Sequence, residues 1–219
     1  MNKHLIVIIP SLIIILIRLK PFDTILRPLC TLVHELSHAL VALLFKDKIK
    51  EIKLNSDFSG SCTTKSHSKF ASFCVSLAGY TLTGVFAYLL IRLIHPNMNA
   101  TAFYILIIVS IIALILYIRN SFGRVWTLLF VGINLIFIFI PFFRPFYHYI
   151  IYFYACILLV ENFLSTIILL QIALSTPKKA GDATNLKKIT KIPASIWAIF
   201  FFCFALFMFY ESISYIIHI

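Results

Sequence analysis

Charge is scarce in this sequence, and the scarcity decides its class. Only 12% of the 219 residues are Asp, Glu, Lys or Arg, where soluble domains carry roughly a quarter. With 61% hydrophobic residues and a mean hydropathy of +1.00, a soluble globular domain is excluded. Cysteine offers no framework either. Cys30, Cys62, Cys74, Cys156 and Cys203 form no C-x-x-C pair, and in apolar segments cysteine behaves as a small hydrophobe. Internal repeats and low-complexity tracts are missing as well. The net charge of +11 does not indicate nucleic acid, because Lys and Arg lie between apolar runs rather than along one stripe. They read as topology signals, with contact to anionic lipid headgroups as a corollary.

What is present is a series of apolar runs of membrane-crossing length. They cover 4–19, 24–45, 70–94, 100–118, 125–143, 146–174 and 194–217. The expected fold is an all-α polytopic transmembrane helix bundle of about six to seven spans, in a single integral domain covering 1–219. The first run reads as a retained span, since Arg18 and Lys20 follow it and no small-residue cleavage site is evident. Pro21 and Pro28 are expected to mark the break before the second helix and its start. The most polar stretch, 46–69, partly alternates at Ile49 to Leu54, turns at Asn55 to Gly60 and returns at Ser61 to Thr64. A small β-hairpin is expected there.

Orientation follows from the basic residues. With the N-terminus in the cytoplasm and seven spans, one side holds Lys3, the lysines from Lys46 to Lys69, Arg119, Arg124 and those from Lys178 to Lys191. The other holds Arg18, Lys20, Arg27, Arg92 and Arg144. An integral multi-pass protein of the cell (plasma) membrane is expected, with its N-terminus cytoplasmic.

One stretch departs from this apolar background: His34-Glu35-Leu36-Ser37-His38. On a helix, residues four apart share a face, so His34 and His38 can turn two imidazoles toward one metal ion. Glu35 lies on the same turn, where its carboxylate can take a proton from water. A charge at the bilayer centre costs at least ~2.5 kcal/mol, so these side chains need a partner there. Zn²⁺ is the expected one. The alternative is a polar knot that hydrogen-bonds helices together. The motif lies about 12–18 Å from Lys46 along the helix at 1.5 Å per residue.

Catalytic zinc takes three protein ligands, and the motif supplies two. Leu44 stands where the metzincin extension would need a histidine, so that class is excluded. Asp182, in the basic loop at 175–193, and Glu161, an intramembrane carboxylate, are nearly level as the third ligand. For Asp182 the plainer role is a helix cap; for Glu161 it is a partner for Asn162 or Asn134, or a group that orients a ligand histidine. Cys30, one turn before His34, could also approach the metal. His67, Asp57 and His148 are weaker candidates. The glycines Gly79 and Gly84, in a span of small residues, are expected to serve close helix packing.

Four segments together resemble a known family. They are Thr31 to Leu40 with its H-E-x-x-H, the strand-and-turn stretch Ile49 to Thr64, Leu77-Ala78-Gly79-Tyr80 with Gly84, and Gly181-Asp182-Ala183 with Ile192-Pro193-Ala194 and Trp197. In that order they resemble the site-2 protease family of intramembrane zinc metalloproteases, in its short branch without a PDZ domain. The resemblance implies His34, His38 and Asp182 as zinc ligands and Glu35 as catalytic base. It also implies a peptide bond in or near a transmembrane segment of another membrane protein as substrate, with the lipid bilayer as partner and nucleic acid as none. Against it stands a non-hydrolytic metal-binding membrane protein, a transporter or inactive relative, although the paired broken helices of a transporter are not seen.

Overall fold

The computed structural model describes residues 12–94 and 99–217. The first apolar run therefore lies largely outside the described residues. Its part at 12–16 is helical, and Ile13 and Ile17 are buried against the rest. The fold is helical with one two-stranded sheet. The main helices are α1 (Phe22–Leu44), α2 (Lys69–Arg92), α3 (Asn99–Leu116), α4 (Ser121–Phe139), α5 (Tyr147–Ser175), α6 (Gly181–Thr190) and α7 (Ala194–Ile217). Among the described residues, α2, α4, α5 and α7 are long and apolar enough to cross a membrane, and α3 is a shorter apolar helix. His34, Glu35 and His38 interrupt the apolar run of α1.

Pro28 does not start α1. The helix begins at Phe22, with Pro21 at its N-cap. Pro28 lies inside and removes one backbone hydrogen bond, which the rest of the helix outlasts. The other end is sharply closed. Lys46 takes the left-handed conformation (φ 59°), and the amides of Lys46 and Asp47 bond back to the carbonyls of Leu43 and Ala42 at 2.9 and 2.8 Å. This is a Schellman ending. It turns the chain directly into β1 (Lys48–Leu54), which pairs antiparallel with β2 (Gly60–Lys65). The register sets Ile52 opposite Cys62 and Leu54 opposite Gly60. Ile52 and Leu54 are fully buried while Lys53 between them is half-exposed.

The outer edge of β1 is occupied. The Ile52 amide donates to Tyr117 O at 2.8 Å, and the Arg119 amide donates to Ile52 O at 3.2 Å. The Asn120 side chain accepts from Leu54 N at 3.1 Å and donates to Leu54 O. The link after α3 thus covers β1. Among the described residues no strand pairs with the far edge of β2.

Helix α2 is the hub, packed against α1, α5, α6 and α7. Its buried residues are mostly small: Ala71, Ser76, Ala78, Gly79, Gly84 and Ala87. Small side chains let helices approach closely where lipid supplies no hydrophobic drive. Gly84 fits this role, facing Met208 of α7.

Two predictions follow from the hairpin's attachments. Asn120→Ala leaves the Leu54 amide and carbonyl unpaired, at a cost of about 1–3 kcal/mol. Hydrogen exchange at Ile52 and Leu54 should accelerate while that of α5 stays unchanged. Asp47 joins the end of α1 to the start of α2. Hydrogen bonds from Ser66 and then His67 hold its carboxyl below the usual carboxylate range, the His67 ring lying 2.7 Å away. The contribution is therefore complete above the ordinary carboxyl value of about 3.9 and is lost as pH falls through the lower folded value. Amide protection at His67 should decline over that acid range, and Asp47→Asn should remove the dependence.

Candidate metal centre

His34 and His38 face α2 from one side of α1. Their Nε2 atoms lie 3.1 Å apart. Oδ2 of Asp182 stands 3.2 Å from the first and 3.3 Å from the second. The three atoms form a nearly equilateral triangle. Atoms bound ~2.0–2.1 Å from a tetrahedral zinc stand about 3.3–3.4 Å from one another, so the triangle matches one face of that tetrahedron.

The chemistry of the set fits a cation too. Nδ1 of His38 lies 2.6 Å from Val75 O. A carbonyl only accepts, so Nδ1 carries the proton and Nε2 of the neutral ring presents a lone pair. That lone pair faces a second imidazole nitrogen and a carboxylate oxygen. Acceptors so placed repel unless a proton or a metal ion lies between them.

Asp182 reaches the triangle because of how α6 is seated. Ala180, Ala183 and Leu186 are fully buried against Leu169 and Ala173 of α5 and Ala194, Ala198 and Phe201 of α7. The Thr184 hydroxyl ties the first turn to Pro177 O at 2.7 Å. Burial alone would push the Asp182 carboxyl up. When protonated, His38 and then His34 more than reverse that and hold it well below the usual carboxylate range.

Glu35 is buried beside the triangle and accepts a hydrogen bond from the backbone amide of Cys62 on β2. Two glycines make this space. A Cβ on Gly79 would collide with His34 Cε1 and stand 2.5 Å from His34 Nε2 and 2.6 Å from His38 Nε2. A Cβ on Gly60 would collide with Glu35 Oε1 and stand 2.6 Å from Thr31 Cγ2. Tyr80 packs edge-on against His34, ring centroids 4.5 Å apart. His34, Glu35, His38, Gly60, Tyr80 and Asp182 line one cavity of about 620 Å³, which extends to Arg27 and Glu161.

Glu161 is not brought to the triangle. Its Oε1 pairs with Arg27 Nε at 2.7 Å, and Asn134 bonds Tyr154 instead. Cys30 lines the cavity without joining the group of possible ligands. Asp57 fixes the hairpin turn through Ser59, His67 bonds Asp47, and His148 sits at the start of α5 beside Tyr149. From the sequence Gly60 reads only as a turn residue, Tyr80 as part of a small-residue span and Arg27 as a topology charge, and Gly79 goes to plain packing. The spacing of H-E-x-x-H carries no information about what faces it; only the run of small residues around Gly79 was a signal.

The family model for Peptidase M50B-like proteins matches residues 6–212. The chain belongs to this family. It is a family of metallopeptidases, the site-2 proteases without a PDZ domain. No curated protein and no solved structure matches the chain.

The glycine contacts give a direct prediction. Gly79→Ala places a methyl group against both histidine Nε2 atoms, where overpacking costs about 1–3 kcal/mol. Bound zinc, measured by elemental analysis of the purified protein, should fall to a small fraction of the wild-type content. Gly84→Ala, whose Cβ would meet only Met208 and Asn162 at 3.2–3.4 Å, should keep its zinc.

Proposed function

We propose that this membrane protease is a zinc-dependent endopeptidase that cuts transmembrane segments of other membrane proteins. The observation that carries the reading is the triangle of His34, His38 and Asp182 with Glu35 beside it, on helices of a membrane bundle. The whole chain acts as one integral domain in the cell membrane. Its N-terminus and the lysine-rich hairpin lie on the cytoplasmic side, where short loops rich in Lys and Arg are retained.

A zinc ion held by the three ligands would supply the Lewis acid that acidifies water and polarises a peptide carbonyl. Glu35 is the general base. It takes the water's proton and returns it to the leaving amine. The Cys62 amide holds the Glu35 carboxylate in place, and Val75 O fixes the His38 ring. Gly60 and Gly79 keep side chains out of the space that the scissile bond must enter.

The substrate has to be extended, because a helix hides its carbonyls in its own hydrogen bonds. The β1 edge at Ile49 to Leu54 is not open to it, because Tyr117, Arg119 and Asn120 cover that edge. The far edge of β2 runs past Glu35 at Cys62 and lines the cavity. A substrate strand added there passes the base directly.

Glu35→Gln keeps the ligand set and removes the base. In liposomes, with a panel of single-span reporter proteins as substrates, the variant should retain zinc and lose cleavage by about 10²–10⁴-fold. Unchanged cleavage would show that Glu35 is not the base. Asp182→Ala should lose zinc, whereas Glu161→Ala should keep it.

A further inference from the structure

At the end of the cavity away from the triangle stands Arg27 with Glu161. The reading of the chain as a protease leaves this pair unused. The Arg27 guanidinium is engaged on two sides. Its Nε donates to Glu161 Oε1 at 2.7 Å, and its face lies over the Phe58 ring, 4.0 Å from the centroid. Among the described residues no acceptor takes the hydrogens of its two Nη atoms. A guanidinium carries five donors in a planar fork, and donors at membrane depth need partners. The edge that remains open borders the cavity. The charge here is also unbalanced. Arg18 adds a further positive charge that acts on Glu161 from beyond contact distance.

Two rulers give the distance from the triangle. Arg27 precedes His34 by seven residues on α1, a rise of about 10.5 Å. On the hairpin, Phe58 lies under Arg27 and Cys62 bonds Glu35, a separation of four residues, at most about 13 Å. An extended substrate advances ~3.3 Å per residue. With its scissile bond at Glu35, its residue about three positions away comes to Arg27.

We infer that Arg27, held by Glu161 and Phe58, is a specificity-determining residue that binds a substrate carboxylate about three residues from the scissile bond, on the side of the N-terminal half of α1. The inference rests on the protease reading and adds the substrate chemistry to it. The fork of the guanidinium takes both oxygens of a carboxylate, and the second arginine offsets Glu161. A segment with an acidic residue set into an apolar run is the substrate class that this end of the cavity selects.

The test is a binding comparison that needs no cleavage. Transmembrane-length peptides with blocked ends carry one Glu, moved stepwise along the apolar run, each with a Gln twin. Binding to detergent-solubilised Glu35→Gln protein is followed by fluorescence anisotropy, with zinc and after chelation. The Glu peptide of matching position should bind about ten-fold tighter than its twin, with or without zinc. Arg27→Gln should erase the difference. Arg27→Lys keeps the charge without the fork and should retain only part of it, which covers the case that Arg27→Gln does not fold. Peptides that end at that position with a free carboxylate, compared with amidated ones, separate a chain terminus from an acidic side chain as the source. Equal binding of the twins, or a preference that survives Arg27→Gln, would overturn the inference. Failure of the protease reading would show separately, as zinc-loaded wild-type protein that cuts none of the peptides.

Discussion

Three electron-rich atoms held within 3.1–3.3 Å of one another inside a helix bundle are the constraint around which this molecule is arranged. Two imidazole lone pairs and a carboxylate oxygen repel in a low-dielectric interior, where no bulk water softens the charge. The arrangement holds because each atom is fixed from behind. His38 is fixed by Val75 O, His34 by the edge-on Tyr80 ring, and Asp182 by the packing of α6 between α5 and α7. A divalent cation between them would turn the repulsion into coordination.

The neighbouring structure serves that centre by leaving room. Gly79 brings the backbone of α2 against both His34 and His38, and Gly60 brings the hairpin against Glu35. The Schellman ending of α1 folds the hairpin back over the motif helix, and the Thr31 hydroxyl secures its turn to Phe58 O at 3.0 Å. Asn120 and Tyr117 anchor the other side of the sheet. The result is a polar cavity with the His34, His38 and Asp182 triangle at one end, a guanidinium at the other and, among the described residues, an unpaired edge of β2 between them.

Much of this was legible in the residues. The scarcity of charge gave the membrane class, and the long apolar runs gave the helices. The i, i+4 spacing gave His34 and His38, and the alternation and turn residues at 49–64 gave the hairpin. What the sequence left open was tertiary. On residue chemistry alone Asp182 and Glu161 are nearly level and only the family resemblance favours Asp182; the buried Ala180, Ala183 and Leu186 seat α6 so that Asp182 meets the histidines. Arg27 looked like a boundary charge, and its pairing with Glu161 spans 134 positions of chain. The covered edge of β1 likewise depends on a segment some 65 residues away. Pro28 shows the opposite limit, a local rule outweighed by the helix around it.

The most direct measurement is zinc-edge X-ray absorption on the purified, zinc-loaded chain in detergent. The account predicts one zinc per chain with two imidazole nitrogens and one carboxylate oxygen at about 2.0–2.1 Å. A chain that takes up no zinc, or a metal shell that lacks the two imidazoles, would contradict it.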